Sequence, residues 1–187
     1  KVRIAAAERN LADALTLEVL NPWSGDNPVG SINPAGKVPV LETADGARLY
    51  DSPVICEYLD TLGAAPRLFP DSGSARWDAL RQNATGDALL DAMIARRLES
   101  RRPDGQRSDG WIERQTTTMR RCLDAMETEV ASLAETVTIG HIAWACALGH
   151  IDFRFVEDGW RNGRPNLAAW FRTFADRPSF IATATHD

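Results

Sequence analysis

Asp51 and Ser52 stand immediately before Pro53, where a helix is expected to begin, because Ser is a preferred cap and proline costs nothing in a first turn. A hydroxyl and free N–H groups at the positive end of a helix suit a carboxylate, and the neighbouring Asp51 carboxylate suits an ammonium. Together they fit the free α-amino acid end of a small molecule. The plainer reading makes Ser52 a simple N-cap. A second group lies upstream at Lys37-Val38-Pro39. An X-Pro bond prefers trans by only about 0.5–1 kcal/mol, so Val38-Pro39 is expected to be cis, which would present the Val38 N–H and C=O at the end of a strand. A ligand backbone can pair there as an added strand; a tight turn without ligand is the alternative. Lys37 would then face a ligand carbonyl or stay solvated.

The remaining reactive types are weaker candidates. Cys56, Cys122 and Cys146 form no CxxC pair and lack a histidine at zinc-ligand spacing, so buried packing is the expectation and a metal site is not. His141 and His150 fall on an apolar helix pattern and read as core histidines, while His186 lies near the end of the sequence and is expected to be exposed. Arg96, Arg97, Arg101 and Arg102 could favour an anionic second substrate or form a solvated helix end.

The elements that position these groups fall into two parts. Lys1–Arg9, with Ala5, Ala6 and Ala7, favours helix, and Leu15–Leu20 alternates like a half-buried strand. A helix with nothing before it implies a first strand ahead of Lys1. Val40–Thr43 and Ala47–Tyr50 flank Ala44-Asp45-Gly46, a strong hairpin signal. A helix over Pro53–Leu62 should stop at Gly63, and 64–73, with two prolines, reads as a linker. Beyond it the pattern is helical: Leu90, Met93, Ile94 and Leu98 form one stripe, and Met119, Cys122, Met126, Val130 and Leu133 another. Pro103–Ser108 joins those helices. Thr138 caps a third, Ile139–Phe155, apolar on most sides, and Leu167, Trp170, Phe171 and Phe174 mark a fourth that ends near Arg177-Pro178.

Composition excludes several classes. With 21 Lys+Arg against 26 Asp+Glu the net charge is −5, which argues against a nucleic-acid binder working by bulk charge. Hydrophobic residues at 44% exclude disorder as the main state, and no apolar run reaches a membrane span. Unpaired cysteine spacing fits a reducing, cytoplasmic setting. The basic residues are almost all arginine, with Lys1 and Lys37 as exceptions, which fits a bacterial, GC-rich coding source.

The order of Asn33-Pro-Ala-Gly-Lys-Val-Pro-Val-Leu41, Leu49-Tyr-Asp-Ser-Pro-Val-Ile-Cys-Glu-Tyr-Leu59, Thr138-Ile-Gly-His-Ile-Ala-Trp-Ala-Cys-Ala-Leu148 and Asp152-Phe-Arg154 resembles a glutathione S-transferase over nearly the whole chain. The resemblance implies an α/β plus all-α fold: a thioredoxin-like domain over 1–63, lacking its first strand in this sequence, a linker over 64–73, and a helical-bundle domain over 74–187. It implies a homodimer that takes glutathione as co-substrate, without metal. Glutathione would meet the Val38 backbone with its cysteinyl residue and Asp51-Ser52 with its γ-glutamyl arm, with Lys37 beside the glycyl or cysteinyl carbonyl. Asp87 would reach toward the partner subunit's glutathione, more so than Asp91, and Pro39, Thr138 and Asp152 would be structural.

The sequence departs from the family pattern in two places. The residue that activates the thiol in this family belongs to the first strand, ahead of Lys1, and no residue here replaces it. Thr138 is followed three residues later by His141 rather than by the family's Asp, so only half of a reciprocal capping box is expected. The expected activity is attack of the glutathione thiolate on a small electrophile. Glutathione-dependent reduction of disulfides or peroxides, and a non-catalytic glutathione-binding module, are the alternatives.

Overall fold

A computed structural model describes residues 1–23, 25, 28–62 and 66–184, and the expected helix stop at Gly63 and His186 lie outside them. The chain divides into two compact units, Lys1–Phe69 and Pro70–Asp187.

In the first unit, helix α1 spans Val2–Glu8 and helix α2 spans Ser52–Thr61. They meet through Ala6, Ile55 and Leu59, with Val2, Leu11, Leu15, Leu41, Leu49 and Tyr58 packed around them. The hairpin of β1, Leu41–Glu42, and β2, Arg48–Leu49, is antiparallel and pairs Leu41 with Leu49 and Glu42 with Arg48. That register sends both leucines to the apolar cluster and leaves Glu42 and Arg48 paired outside it at 3.3 Å, as the alternation of a strand requires. Gly46 (φ +84°) closes the turn, donating its N–H to the Thr43 carbonyl at 2.8 Å.

Leu15–Leu20 does not form the expected strand. Leu17 is 59% and Val19 96% exposed, and the sheet of the described residues holds only β1 and β2. Alternation supplies a face, but a strand also needs a neighbour to bond its backbone.

Arg9 and Asp60, both fully buried, tie α1 to α2. The Arg9 guanidinium lies 3.4 Å from the Asp60 carboxylate and donates to the Leu62 carbonyl at 2.7 Å. Asp60 in turn accepts the backbone N–H groups of Leu68 (2.7 Å) and Phe69 (3.1 Å). The Asp60 carboxylate and the two backbone N–H groups are thereby satisfied in one buried place, while the buried Arg9 Nε faces the carboxylate as an ion pair without a hydrogen bond.

The second unit is built on α3 (Gly73–Ser100), α4 (Asp109–Glu129) and α5 (Ile139–Arg154), followed by α6 (Pro165–Ala175) and a short α7 (Pro178–Ile181) that continues past the expected stop at Pro178. Helix α5 is buried almost throughout, from Ile139 to Ala145 and on to Ile151. It lies so close to α3 that a β-carbon on Gly86 would sit 2.8 Å from the Ala143 carbonyl carbon, and one on Gly140 would sit 2.5 Å from the Gln82 side chain. The buried Trp144 donates its Nε1–H to the Gln82 carbonyl at 2.9 Å.

This closeness moves the buried face of α3 away from the expected stripe. Ala79, Gln82, Asn83, Gly86, Leu89, Ala92 and Met93 are buried, whereas Ile94 and Leu98 are exposed. Met93 of the expected stripe is buried here too, but close helix contact at Gly86 requires a small residue, which an apolar stripe does not mark. The α4 stripe holds at Met119, Met126 and Val130, with Leu123 added. Ser108 caps α4, its hydroxyl accepting the Trp111 N–H at 3.2 Å.

Candidate functional site

The Lys37-Val38-Pro39 loop is shaped by Asn33, a buried residue whose role the sequence reading missed. Its side-chain amide donates to the Lys37 carbonyl at 2.7 Å and its Oδ1 accepts the Ala35 N–H at 2.9 Å. The Asn-Pro-x-Gly spacing was the available signal, since Asn and Gly favour such turns and Gly36 adopts φ +62°. The Val38-Pro39 peptide is cis, as expected, and so is Tyr50-Asp51. Val38 is 50% exposed, and among the described residues its backbone groups have no hydrogen-bond partner. The Lys37 ammonium is likewise exposed, without a partner among those residues.

At the start of α2, Asp51 rather than Ser52 is the N-cap, and Ser52 is the first helical residue with Pro53 behind it. The expected capping bond from Ser52 is absent: neither side chain makes a cap hydrogen bond. Asp51 instead contributes its backbone carbonyl, which accepts the Ile55 N–H at 3.0 Å. The Asp51 carboxylate and the Ser52 hydroxyl therefore have no partner among the described residues, and they stand where helix N–H groups also lack intrahelical acceptors. A carboxylate beside a hydroxyl and a helix N-terminus can take an ammonium and a carboxylate at once.

The second unit holds the other residues singled out. Asp87 on α3 accepts the Asn83 side-chain amide at 3.1 Å, and Asp91 is exposed. Asp152 is structural in position: its carboxylate accepts the Trp160 indole N–H at 2.8 Å and both arms of the Arg161 guanidinium at 2.6 Å, fastening the end of α5 to the segment that follows.

Thr138 and His141 form a capping box at the start of α5, correcting the expectation of half a box. The Thr138 N–H donates to His141 Nδ1 at 3.2 Å, so the ring proton sits on Nε2, which donates to the Ala134 carbonyl at 3.0 Å. Both ring nitrogens are engaged. Burial pushes the His141 pKa below its ordinary value, so the ring is neutral and held, which is a structural role.

Cys56 is buried, and burial raises the Cys122 thiol. Among the described residues no cluster of His, Cys, Asp or Glu could hold a metal, and no helix is long and apolar enough to cross a membrane. A cavity of about 160 Å³ in the second unit is floored by Met119, Leu123, Ile151 and Trp160. Its charged groups are already occupied, Arg120 by Glu113, Arg164 by Asp124 and Asp158 by Arg96, and it is smaller than the several hundred Å³ usual for a substrate pocket.

Residues 1–62 match the glutathione S-transferase N-terminal domain and residues 109–173 the C-terminal domain of the same family. The chain is 35% identical to the uncharacterized GST-like protein YibF of Escherichia coli K12 over 178 residues, 92% of this chain and 88% of that protein. A glutathione transferase family member from Pseudomonas fluorescens Pf-5, solved with bound glutathione, superposes with a TM-score of 0.94 at 36% identity, covering 100% of this chain and 93% of that one. A structure of that Pseudomonas family member with bound S-(propanoic acid)-glutathione gives 0.90 at 36% identity and the same coverage. Two domain matches in order, a relative aligned over nearly its whole length and a common fold place this chain in the glutathione S-transferase family.

Proposed function

We propose that this chain binds glutathione through Lys37, Val38, Asp51 and Ser52 and catalyses attack of its thiolate on a small electrophile. The observation that carries the reading is the pair Asp51 and Ser52, two polar side chains without a partner among the described residues, side by side at a helix N-terminus and in the same unit as a Val38 peptide that is likewise unpaired among those residues. In this reading the γ-glutamyl ammonium meets the Asp51 carboxylate, its carboxylate meets the Ser52 hydroxyl and N–H, and the cysteinyl backbone adds to Val38 as a short strand. Lys37 offers a cation to the glycyl side. Glutathione bound to structural relatives at 36% identity supports the ligand.

The reading includes a homodimer, with Asp87 directed toward the partner subunit's glutathione. Met93, fully buried, belongs to the core of its own chain, which leaves Trp77, Ile94 and Leu98 as exposed apolar side chains of α3 for a partner. Calorimetry with glutathione tests the first step: saturable binding that weakens in Asp51→Asn supports it, and no binding overturns it. A thiol-conjugation assay with an activated aryl halide then tests transfer, and binding without conjugation would reduce the reading to a glutathione-binding module.

A further inference from the structure

Helices α3 and α5 run in the same direction. Gln82 meets Gly140, Gly86 meets Ala143, and further along the Arg96 guanidinium lies 5.1 Å from the centre of the Phe155 ring. Their C-terminal ends therefore come together, and with them the arginines of both last turns. Two of the nearby arginines are neutralised: Arg96 pairs with Asp158, and Arg102 lies 3.6 Å from Glu99. Arg97, Arg101 and Arg154 are different. Among the described residues none of the three guanidinium groups has a carboxylate partner or a hydrogen bond, and Arg154 stacks over Phe153 at 3.7 Å.

Like charges are thus held together without a counter-charge. Burial lowers the proton affinity of Arg97, with Arg101 and Arg154 adding to it, and burial likewise lowers that of His150, one turn before Arg154, with Arg154 and Arg97 adding to it. Helix C-termini attract cations, but a terminus carries roughly half a negative charge, so two of them leave about two positive charges uncompensated. The His150 Nε2 atom is sealed from solvent without a hydrogen-bond partner, a further unmet polar group in the cluster.

We propose that Arg97, Arg101 and Arg154 form a binding site for the oxyanion group, carboxylate or phosphate, of a small molecule. Guanidinium groups grip such groups bidentately, and an oxyanion removes the mutual repulsion of the three. All three arginines belong to the second unit, and none of them is among the residues assigned to glutathione. Three guanidiniums in a chain of net charge −5 suit a single small anion rather than a polynucleotide.

The test is calorimetric titration of the full chain with inorganic phosphate and, separately, with succinate, at ionic strength held constant with chloride. At least one anion should bind saturably, and the stronger of the two names the source, phosphate or carboxylate; equal binding supports the common oxyanion chemistry. Arg97→Gln and Arg101→Gln, the latter at an exposed position, should each weaken binding at least tenfold with unchanged melting curves, while Arg172→Gln, an exposed arginine on α6, should not. The His150 ring nitrogens should shift during the titration and those of His141 should not. Absence of saturable binding, affinity in both cluster variants unchanged from that of the native chain, or the same loss in Arg172→Gln would overturn the site.

Discussion

The Thr138 backbone N–H and His141 Nδ1 lie 3.2 Å apart, so an imidazole fills the place of the carboxylate in a capping box. The substitution makes the start of α5 sensitive to pH. His141 in the folded chain holds its proton less tightly than the ordinary pKa of 6.5, because burial disfavours the cation. The unfolded chain therefore binds a proton that the folded chain refuses, so stability is complete above about pH 6.5 and falls as pH drops below it. His150 is shifted in the same direction. The melting temperature of the native chain should fall between pH 7.5 and 5.5, and His141→Ala should flatten that slope while lowering stability at pH 7.5 by about 0.5–2 kcal/mol through the lost cap. An unchanged slope in the variant would contradict this account.

Ser52→Ala and Asp51→Asn should each weaken glutathione binding by about ten- to a hundredfold, the equivalent of roughly 1.5–3 kcal/mol for a hydrogen bond to a charged group. Because neither side chain makes a cap bond, both variants should keep the native stability within about 0.5 kcal/mol. Calorimetry and thermal melts on the same samples separate recognition from folding, and a large loss of stability in Ser52→Ala would restore the capping role.

Asp60→Ala should cost about 3–5 kcal/mol, since it strands the buried Arg9 cation and frees the N–H groups of Leu68 and Phe69. Urea unfolding followed by Trp23 fluorescence reports on this unit, because the other five tryptophans lie beyond residue 70. A loss under 1 kcal/mol would show that the pair is not a principal tie.

Gly86→Ala and Gly110→Ala should move in opposite directions. At Gly86 the new β-carbon would meet the Ala143 backbone at 2.8 Å, an overpacking cost of about 1–3 kcal/mol or more that exceeds the roughly 1 kcal/mol gained in helix propensity. At Gly110 nothing lies within 4 Å, so alanine should be neutral or stabilising by up to about 1 kcal/mol. Thermal denaturation of both variants decides it.

The sequence by itself determined what depends on neighbours along the chain. Ala44-Asp45-Gly46 specified a turn whatever surrounds it, Ser52-Pro53 marked the start of a helix, and the Leu167, Trp170, Phe171 and Phe174 spacing placed α6, because turn conformation, first-turn chemistry and helix periodicity are local properties. The order of those segments also carried the family and most of the proposed ligand contacts. What tertiary structure decided depends on groups distant in sequence. The Leu15–Leu20 alternation was right for a strand, yet pairing belongs to two segments and the described residues supply no second one. The α3 stripe held at Met93 but missed the face around Gly86, where closeness to α5 requires a small residue that carries no apolar signal. Folding buries Asp60 against Arg9, which no local pattern marks, and Arg97, Arg101 and Arg154 became one cluster only when α3 and α5 were laid side by side in the same direction, since charges 53 or more residues apart meet by packing alone.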